Sequence, residues 1–309
     1  MPDAPPTLLR LAAFTTDPNG GNPAGVWIGR SFPPDPEMQR IAAEVGYSET
    51  AFLVPAADSA PGAFRVRYFS PLAEVPFCGH ATIASGVALA ERGLAARPPV
   101  DGGPATLVLE TNGGPVAIAT ESAPDGGLTR ATLTSVATWV REPHPDLLAT
   151  ALALLGWRRD DLDPLLPPAI AFAGATHLIL AAAERRRLAT LDYPFEELKA
   201  LMLENDLTTI QLVWREAAER FRARDPFPVG GVVEDPATGA AAAALGGYLR
   251  DRGEIVAPAT FQIVQGVEMG RPSLLTVSIE PGEAGVRVSG TAVPIGAGDG
   301  SSSGAKLMG

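Results

Sequence analysis

The sequence predicts an α/β protein of two similar lobes, each formed by a β-sheet wrapped around a central helix. The chain has 309 residues, which suits two domains of about 100–200 residues each. Two segments rich in alanine and glycine, residues 82–91 and 240–249, are apolar nearly all round. A helix of that kind is enclosed by other elements on most sides. Because apolar runs of strand length flank both segments, we expect the same arrangement in each half.

The first half contains a turn-rich segment, a helix and several strands. Asn, Gly and Pro residues at 17–25 end the apolar run at 8–14 and predict a loop rather than a regular element. A helix is predicted with Asp35 as its N-cap and Pro36 as its first helical residue, and it is predicted to end at Gly46. The other predicted elements are strands at 51–55 and 64–68, the helix at 82–91 stopped by Gly93, and a hairpin of strands at 105–111 and 115–120.

The second half repeats this order of elements. Pro, Asp and Gly residues at 122–127 mark a soft boundary between the lobes, and the Gly- and Ser-rich tail at 296–309 is predicted to be mobile. The predicted helices of this half cover residues 146–155, 194–203 and 240–249. The predicted strands cover residues 128–133, 170–172, 178–181, 210–214, 220–224, 261–264, 274–279 and 286–288.

Composition and charge exclude several classes of protein. Hydrophobic residues make up 46% of the chain and charged residues 19%, which is typical of a globular protein with a real core. The formal charge of −11 repels a phosphate backbone, so we expect no nucleic-acid partner. We find neither a secretory signal pattern nor a run of about 18 apolar residues, so we expect no membrane partner. The single cysteine excludes an intrachain disulfide and fits a cytoplasmic protein.

Two short turns contain the residues of most chemical interest. One is Cys78-Gly79-His80, and the other runs from Asp235 to Gly239. Each leads into one of the Ala/Gly-rich helices, where backbone N–H groups favour an anion, so two such ends facing each other would make a site. Glu49 stands at the start of a buried strand, where partial desolvation would raise its pKa. The alternative for Glu49 is a solvated acid with no role.

Other chemistries find less support in the sequence. A cysteine at a helix N-terminus is a possible nucleophile or base, but a free cysteine such as Cys78 is often simply buried. We expect no metal site, because His80, His144 and His177 are scattered and no C-x-x-C or H-E-x-x-H spacing occurs. We find no P-loop, no nucleotide-binding glycine motif after a strand and no G-x-S-x-G elbow. The remaining acids and helix ends suit proton transfer beside a carboxylate.

Six motifs occur in order between residues 21 and 272. They are GNPAGV at 21–26, SETAF at 48–52, RYFSP at 67–71, EVPFCGHAT at 74–82, EDPATG at 234–239, and QG with MGRP at 265–272. Each is weak alone, but together they resemble the phenazine-biosynthesis PhzF family of isomerases. The resemblance covers nearly the whole chain and is therefore specific.

The resemblance implies the diaminopimelate epimerase-like fold, with two pseudo-symmetric α/β lobes and the site in the cleft between them. Each lobe is then a barrel-like sheet around a central helix. We expect the N-terminal lobe to cover residues 1–120, with a C-terminal strand at about 284–309 returning to it. The C-terminal lobe is expected to cover residues 121–283. The family is cofactor-independent and usually homodimeric, and its partner is a small carboxylate-bearing substrate.

The resemblance also implies the roles of individual residues. The glutamate of the family's Ser-Glu-Thr motif, here Glu49, shuttles a proton between carbon atoms. The assisting histidine and aspartate of the family fall on His80 and Asp235. We expect the backbone amides of Gly79 and Gly239 to hold the substrate carboxylate. The expected substrate-binding set is Asn22, Cys78, Gly79, Thr238, Gly239 and Ala240.

Two departures narrow the expected reaction. Related epimerases use two cysteines, of which Cys78 matches the first, whereas the second position holds Pro236 and no other cysteine exists. Racemisation by two thiols is therefore excluded by count, and a proton shift through Glu49 alone remains. The phenazine enzyme has serine where this chain has Ala240. Because a lost hydrogen-bond partner in a buried site costs about 1–3 kcal/mol, activity on the phenazine precursor is disfavoured.

We therefore expect a cofactor-independent isomerase that moves a proton within a small carboxylate-bearing metabolite. Glu49 is the expected acid and base, while Asp235 and His80 position the substrate or tune the proton. One alternative is a binding protein of the same family that has lost its chemistry. Another is a thiol-dependent enzyme that uses Cys78.

Overall fold

The computed structural model of the protein describes residues 5–56, 61–96, 103–122 and 127–296. The chain divides into an N-terminal unit, residues 1–134 with 289–300, and a C-terminal unit, residues 135–288 with 301–309. Most of the predicted lobe boundary at 122–127, and the predicted tail from residue 297 onward, fall outside the described residues. Among the residues that are described, no helix has the length and apolar character needed to cross a membrane.

The regular elements follow one another through the chain as follows. The helices are α1 (Asp35–Val45), α2 (Gly79–Glu91), α3 (Pro145–Leu154), α4 (Arg185–Ala189), α5 (Phe195–Glu204) and α6 (Gly239–Asp251), with 3₁₀ turns at Arg159–Asp161 and Pro228–Gly230. Strands of the first half are β1 (Thr7–Ala13), β2 (Asn22–Ile28), β3 (Glu49–Pro55), β4 (Ala63–Phe69), β5 (Glu74–Val75), β6 (Ala105–Thr111), β7 (Gly114–Ser122) and β8 (Thr129–Thr134). The later strands are β9 (Trp139–Arg141), β10 (Ala169–Phe172), β11 (Thr176–Ala181), β12 (Thr209–Ala217), β13 (Arg220–Pro226), β14 (Glu234–Asp235), β15 (Ala259–Gln265), β16 (Ser273–Ile279) and β17 (Arg287–Pro294).

The N-terminal unit is a closed barrel of eight strands around helix α2. Pairing runs through β1, β2, β3, β4, β6, β7, β8 and β17 and returns to β1. Helix α2 contacts β1, β2, β3, β7 and β8. Its small side chains allow this enclosure, since a Cβ at Gly86 would lie 3.1 Å from both Ala131 Cβ and Ile118 Cγ2. The predicted sheet around an Ala/Gly-rich helix is confirmed.

Helix α1 covers the outside of this barrel. Met38 and Ala42, four residues apart on one helix face, pack against Phe52 and Phe69 of the sheet. The helix ends as predicted at Gly46, whose φ of 71° suits a residue without a Cβ. Its N-cap is Pro34 rather than the predicted Asp35, so the helix begins one residue earlier than predicted. This layer fixes the strand that carries Glu49, because Phe52 belongs to the same strand.

The C-terminal unit has a ladder of seven strands against helix α6. Pairing runs through β9, β10, β11, β12, β13, β15 and β16. Helix α6 contacts β9, β10, β11 and β16. Leucine and isoleucine side chains of β10, β11 and β12 instead pack with helices α3 and α5. Because neighbouring strand residues alternate between faces, α6 and the pair α3 and α5 cover opposite faces of the sheet.

The predicted loop at residues 17–25 is wrong over its second part. Residues from Asn22 onward form β2, which pairs with β1 in the register Ala12↔Pro23 and with β3 from Ala24↔Glu49. Proline lacks an N–H and usually disfavours a strand. Here Pro23 lies before the point where β3 begins to pair, so on that side it occupies an edge position. Strand β17 also continues beyond the predicted residues 286–288 to Pro294.

Candidate active site

The turn before α2 is held by buried hydrogen bonds. Cys78 is the N-cap residue with an extended φ of −145°, and Gly79 begins the helix, three residues before the predicted start at residue 82. The Thr82 hydroxyl donates to the Cys78 carbonyl at 2.7 Å, and the Tyr68 hydroxyl lies 2.6 Å from Thr82 Oγ1. Tyr68 is completely buried in β4. The barrel wall therefore fixes where the helix begins and where its first N–H groups point.

Glu49, Cys78 and His80 meet at this helix end and form what we call the Glu49 cluster. Glu49 Oε2 lies 3.4 Å from His80 Nε2. The Cys78 thiol lies 3.4 Å from His80 Nδ1, and Ser48 Oγ lies 3.3 Å from His80 Nε2. The side chains of Glu49 and His80 are 16% and 7% exposed. Residues that are about 30 positions apart in the sequence are thus brought into one polar group.

Burial raises the pKa of the Glu49 carboxyl above its ordinary value, and hydrogen bonds to Ser48 and Cys78 oppose this with smaller effects. The neutral form is favoured because a charge loses its hydration in a poorly exposed place. Glu49 therefore holds its proton to a higher pH than a solvated glutamate does. A carboxyl whose pKa is closer to neutrality can both accept and return a proton during a reaction.

Glu49, Cys78 and His80 also bring potential metal-ligand atoms close together, and within the described part of the chain they are the group that does so. One atom each from Glu49, Cys78 and His80 lies within 4.8 Å of the others. Sulfur, nitrogen and oxygen ligands of this kind suit Zn²⁺. Binding would require Glu49 and Cys78 to have lost their protons. The raised pKa of Glu49 opposes this, so the donor set suits proton transfer better than a resident metal.

Asn22, predicted to bind substrate, is buried on the strand next to Glu49. It lies two residues before Ala24, which is the partner of Glu49 in the β2–β3 ladder, so Asn22 and Ala24 share one face. The preceding Gly21 has a φ of 65°, and a Cβ there would lie 2.4 Å from the Ala13 carbonyl oxygen. Only glycine fits this turn, which sets the position of Asn22.

The turn before α6 brings Asp235, Thr238 and Gly239 together in the C-terminal unit. Thr238 is the N-cap residue and its hydroxyl donates to Asp235 Oδ2 at 2.6 Å. Gln265 accepts from the Thr238 N–H at 3.3 Å and donates to the Asp235 carbonyl at 2.8 Å. Ala240, the second residue of α6, is half-buried. The sequence showed Gln265 only as part of a motif, whereas in the structure its side chain holds this turn in place through two hydrogen bonds.

Sequence reasoning missed a row of buried polar side chains beside this turn. The row consists of His177, Thr209, Gln211 and Asp225, all of them fully buried. Strand periodicity gave a weak signal, because a polar residue on a strand that is buried on both faces needs a partner. Nothing in the sequence indicated which partner, since the four residues come from three strands.

Comparison with known proteins identifies the family. The model of the PhzC-PhzF family, described as phenazine biosynthesis-like protein, matches residues 11–298. The chain belongs to this family. A trans-2,3-dihydro-3-hydroxyanthranilate isomerase from Pseudomonas fluorescens is 32% identical, covering 93% of this chain and 96% of the relative. An isomerase of unspecified reaction from Deinococcus radiodurans is also 32% identical, covering 87% of this chain and 85% of the relative.

The PhzF fold is seen in a solved structure as well. The crystal structure of a PhzF-family phenazine biosynthesis protein from Bacillus anthracis matches with a TM-score of 0.79 at 25% identity. The match covers 95% of this chain and 98% of that chain. The predicted α/β, diaminopimelate epimerase-like fold is confirmed. The chain is an isomerase of the PhzF family.

Proposed function

We propose that the protein is a cofactor-independent isomerase that moves a proton between two carbon atoms of a small carboxylate-bearing metabolite. Glu49 is the proposed acid and base, and His80 and Asp235 assist it. The observation that carries the proposal is the setting of Glu49. Its carboxyl is poorly exposed, its pKa is raised by burial, and its Oε2 lies 3.4 Å from His80 Nε2.

The reaction needs one group that takes a proton from one carbon and returns a proton to another. Glu49 as a carboxylate accepts a proton from an acidic C–H, and the electron pair of that bond delocalises into the conjugated substrate. The neutral Glu49 carboxyl then gives the proton to another carbon of the same delocalised system. One proton is taken and one is returned, and the electron pair stays within the substrate, so no oxidant, reductant or second base is required. The O–H of the neutral Glu49 carboxyl exchanges with solvent before the proton is returned, so deuterium enters the product in D₂O. General acid–base catalysis of this kind contributes a factor of about 10²–10⁴.

The substrate carboxylate is assigned to helix N-termini. Gly79 begins α2 and Gly239 begins α6, and the first N–H groups of a helix favour an anion. The P. fluorescens relative is named for a small carboxylate with this character, trans-2,3-dihydro-3-hydroxyanthranilate. Because Ala240 supplies no hydroxyl in the first turn of α6, we propose a different small carboxylate as the preferred substrate.

The test follows solvent deuterium into candidate substrates. The purified protein is incubated in D₂O with a panel of small unsaturated carboxylates, including trans-2,3-dihydro-3-hydroxyanthranilate, and uptake is measured by mass spectrometry. We expect enzyme-dependent uptake into one compound, lowered by about 10²–10⁴-fold in Glu49→Gln. Glu44→Gln, an exposed glutamate on α1, is the matched control and should keep the wild-type rate.

Two outcomes would contradict the proposal. Full turnover by a folded Glu49→Gln protein would remove Glu49 from the chemistry. Absence of exchange into every carboxylate of the panel would favour the alternative of a binding protein.

A thiol-dependent reaction is the second candidate, favoured by the contact of Cys78 with His80. A thiolate beside an imidazole at a helix N-terminus is the usual arrangement of a reactive cysteine. This candidate predicts that Cys78→Ala abolishes turnover. The Glu49 proposal predicts that Cys78→Ala changes turnover less than Glu49→Gln does, because the thiol only borders the carboxyl.

We further propose a cytoplasmic homodimer, as the family resemblance and the single cysteine support. Light scattering of the purified protein at micromolar concentration tests the dimer, for which we expect twice the mass of 32.0 kDa. A monomer would contradict it and would leave the proton-transfer proposal intact.

A further inference from the structure

Three side chains of the kinds that bind zinc meet at the start of α2. They are the thiol of Cys78, the imidazole of His80 and the carboxyl of Glu49, which the proposed function uses for proton transfer. One ligand atom from each lies within 4.8 Å of the others. The spacing of residues in the sequence gave no sign of this group, because Glu49 belongs to β3 and reaches the turn before α2 only in the folded barrel.

The distances in the Glu49 cluster are close to those between the ligands of one zinc ion. Zn–S bonds of about 2.3 Å and Zn–N or Zn–O bonds of about 2.0–2.1 Å, at tetrahedral angles, place a nitrogen about 3.3 Å from an oxygen and about 3.6 Å from a sulfur. His80 Nε2 lies 3.4 Å from Glu49 Oε2 and 3.8 Å from Cys78 Sγ. Because the thiol also lies 3.4 Å from His80 Nδ1, beside the ring, the imidazole has to turn to direct one nitrogen at the metal. Binding then requires rotation of these side chains rather than a rearrangement of the fold.

The charges of the cluster suit a divalent cation in a poorly exposed place. The side chains of Glu49 and His80 are 16% and 7% exposed, and Cys78 is 7% exposed. A thiolate and a carboxylate together carry two negative charges, which balance those of Zn²⁺, while His80 binds as a neutral imidazole. The complex is then neutral overall, and a neutral group costs less to bury than an isolated charge does.

The same donors discriminate against hard cations. Mg²⁺ and Ca²⁺ take six or more ligands, nearly all of them oxygen, whereas this cluster offers the carboxyl of Glu49 and, beside His80, the hydroxyl of Ser48. Thiolate sulfur and imidazole nitrogen instead favour Zn²⁺ and its analogue Cd²⁺. Three protein ligands leave the fourth position of a tetrahedral zinc ion for water. The expected ion is therefore Zn²⁺, and Mg²⁺ is the matched ion that should not bind.

Hydrogen bonds fix the part of the backbone that carries two of the ligands. The Cys78 carbonyl accepts from the Thr82 N–H at 3.0 Å and from the Thr82 hydroxyl at 2.7 Å. The buried Tyr68 hydroxyl, 2.6 Å from Thr82 Oγ1, holds that hydroxyl in turn. Because these bonds set the start of α2, Cys78 and His80 are held close together before any ion arrives. A site that is already assembled loses less conformational entropy on binding.

A metal ion in this cluster is incompatible with the proposed proton transfer. The Glu49 carboxylate cannot accept a proton through an oxygen that coordinates Zn²⁺. In the other direction, Glu49 and Cys78 must both release protons before the ion binds, and this competition weakens the site. The cluster therefore suits reversible occupancy that stops turnover, rather than a resident metal.

We propose that the Glu49 cluster is an inhibitory site for Zn²⁺, bound by Cys78 Sγ, one imidazole nitrogen of His80 and a Glu49 carboxylate oxygen, with water as the fourth ligand. Zinc then regulates the enzyme by blocking the group that moves the proton. The inhibition rests on the proposed function, whereas the binding of the metal does not.

X-ray absorption spectroscopy tests the binding on the wild-type protein, without a substrate. The purified protein is loaded with one equivalent of Zn²⁺. We expect one sulfur at about 2.3 Å and three nitrogen or oxygen ligands at about 2.0–2.1 Å. Since the chain has a single cysteine, a thiolate at this distance is that of Cys78. A shell of nitrogen and oxygen alone would overturn the site, and this measurement needs no variant that has to fold.

Titration with Cd²⁺ tests the other two ligands. A cadmium–thiolate bond absorbs in the ultraviolet, and in this chain the absorption reports Cys78. Loss of a second-shell partner alone weakens metal binding by about 10–100-fold, so His80→Asn and Glu49→Gln should each weaken it by at least about 10²-fold. His144→Asn, at an exposed histidine beside Asp146, is the matched control and should keep the wild-type affinity. Wild-type affinity in either ligand variant would overturn the assigned ligands.

The inhibition is measured on the compound that takes up deuterium. We expect half of the wild-type uptake to be lost at about 1–10 µM free Zn²⁺, a weaker affinity than that of structural zinc sites because protons compete. A chelator should restore the full rate, and Mg²⁺ at the same concentration should have no effect. Uptake that stays unchanged while the site is occupied would overturn the inhibitory role.

The two proposals fail in different experiments. Full turnover by Glu49→Gln would defeat the proposed function and leave the sulfur ligand of the wild-type zinc complex in place. Absence of that sulfur ligand would defeat the zinc site and leave the deuterium uptake and its dependence on Glu49 in place.

Discussion

The two units build their polar clusters on one local pattern and give the acids opposite surroundings. In each, a two-residue strand leads through a short turn into an Ala/Gly-rich helix whose N-cap side chain makes no capping bond. Glu49 keeps 16% of its side chain exposed and lies beside a histidine. Asp225 is fully buried and lies beside another acid.

Burial alone does not decide whether an acid transfers its proton or keeps it. Both carboxyls have a raised pKa, and in both the first cause is loss of hydration. Glu49 retains some exposure and an imidazole neighbour, which permit proton exchange with a bound molecule. Asp225 is fully buried, accepts a hydrogen bond from Thr209 and lies opposite Asp235, and its pKa is raised by burial first, so loss of its proton is disfavoured. The surroundings of Glu49 suit transfer of a proton, and those of Asp225 suit its retention.

The largest expected difference is in turnover, between a substitution of Glu49 in the N-terminal unit and one of Asp235 in the C-terminal unit. We expect Glu49→Gln to lower kcat by about 10²–10⁴-fold, because it removes the group that moves the proton. Asp235→Asn should cost about 10²-fold, the typical effect of a misplaced assisting group. Deuterium uptake and steady-state rates measure both. Equal losses in the two variants would mean that the clusters do not differ in role.

Two buried threonines provide the next largest contrast. Thr209 bonds to both His177 and Asp225, so Thr209→Val should lower the free energy of unfolding by about 1–3 kcal/mol. Thr50 in the N-terminal unit is as buried, but its hydroxyl has no hydrogen-bond partner in the described residues. Thr50→Val should therefore raise the free energy of unfolding by about 1 kcal/mol. Urea unfolding measures both, and a loss at position 50 equal to that at 209 would refute the contrast.

The pH dependence of stability should separate the two acids further. Above the ordinary pKa, the unfolded chain releases the proton that the folded protein retains, so a raised pKa costs stability as the pH rises towards it. The cost is up to about 1.4 kcal/mol for each pH unit, and it is absent from the amide variants. Between pH 5 and pH 8 the free energy of unfolding of each amide variant should rise relative to that of the wild type. We expect this relative rise to be steeper for Asp225→Asn than for Glu49→Gln. Urea unfolding at four pH values would show it, and parallel curves would contradict it.

The smallest expected difference is between the two central helices, α2 and α6, in the stability that each loses when one glycine is replaced by alanine. A Cβ at Gly247 of α6 would lie 2.5 Å from Thr138 Oγ1 and 2.7 Å from its Cβ, whereas one at Gly86 of α2 meets its nearest atoms at 3.1 Å. Overpacking costs about 1–3 kcal/mol, offset by about 1 kcal/mol for alanine in a helix. We expect a net loss of about 1 kcal/mol for Gly247→Ala and nearly none for Gly86→Ala. Thermal unfolding of the two variants compares them directly.

The sequence predicted those features that depend on short stretches of chain. Both central helices followed from composition, and the strand carrying Phe64, Val66 and Tyr68 followed from alternation. Strand β2 was missed because Asn22 to Gly25 contain turn residues, and only pairing on both sides makes that stretch extended. The two-residue strands β5 and β14 were missed because they exist only through their partners.

The sequence allowed several residues of the candidate site to be predicted, but it did not allow their contacts and distances to be predicted. Family resemblance selected Glu49, His80 and Asp235, whose roles stay predictions. The contact of Glu49 with His80 and Cys78 fits the expectation of a poorly hydrated acid. Asp225, Thr209 and His177 carry no motif, and their association depends on register across three strands. A pattern along one strand cannot reveal which residue lies opposite.

Strand β17 ties the end of the described chain to its beginning, because Ala292, Val293 and Pro294 pair with β1 and the strand also pairs with β8. A ribosome adds these residues only after the whole C-terminal unit has been synthesised. The barrel of the N-terminal unit, most of which is translated first, therefore closes only after the C-terminal unit has been made. Until then β1 and β8 are open edges, which other chains can pair with, so a nascent protein of this design depends on protection during synthesis.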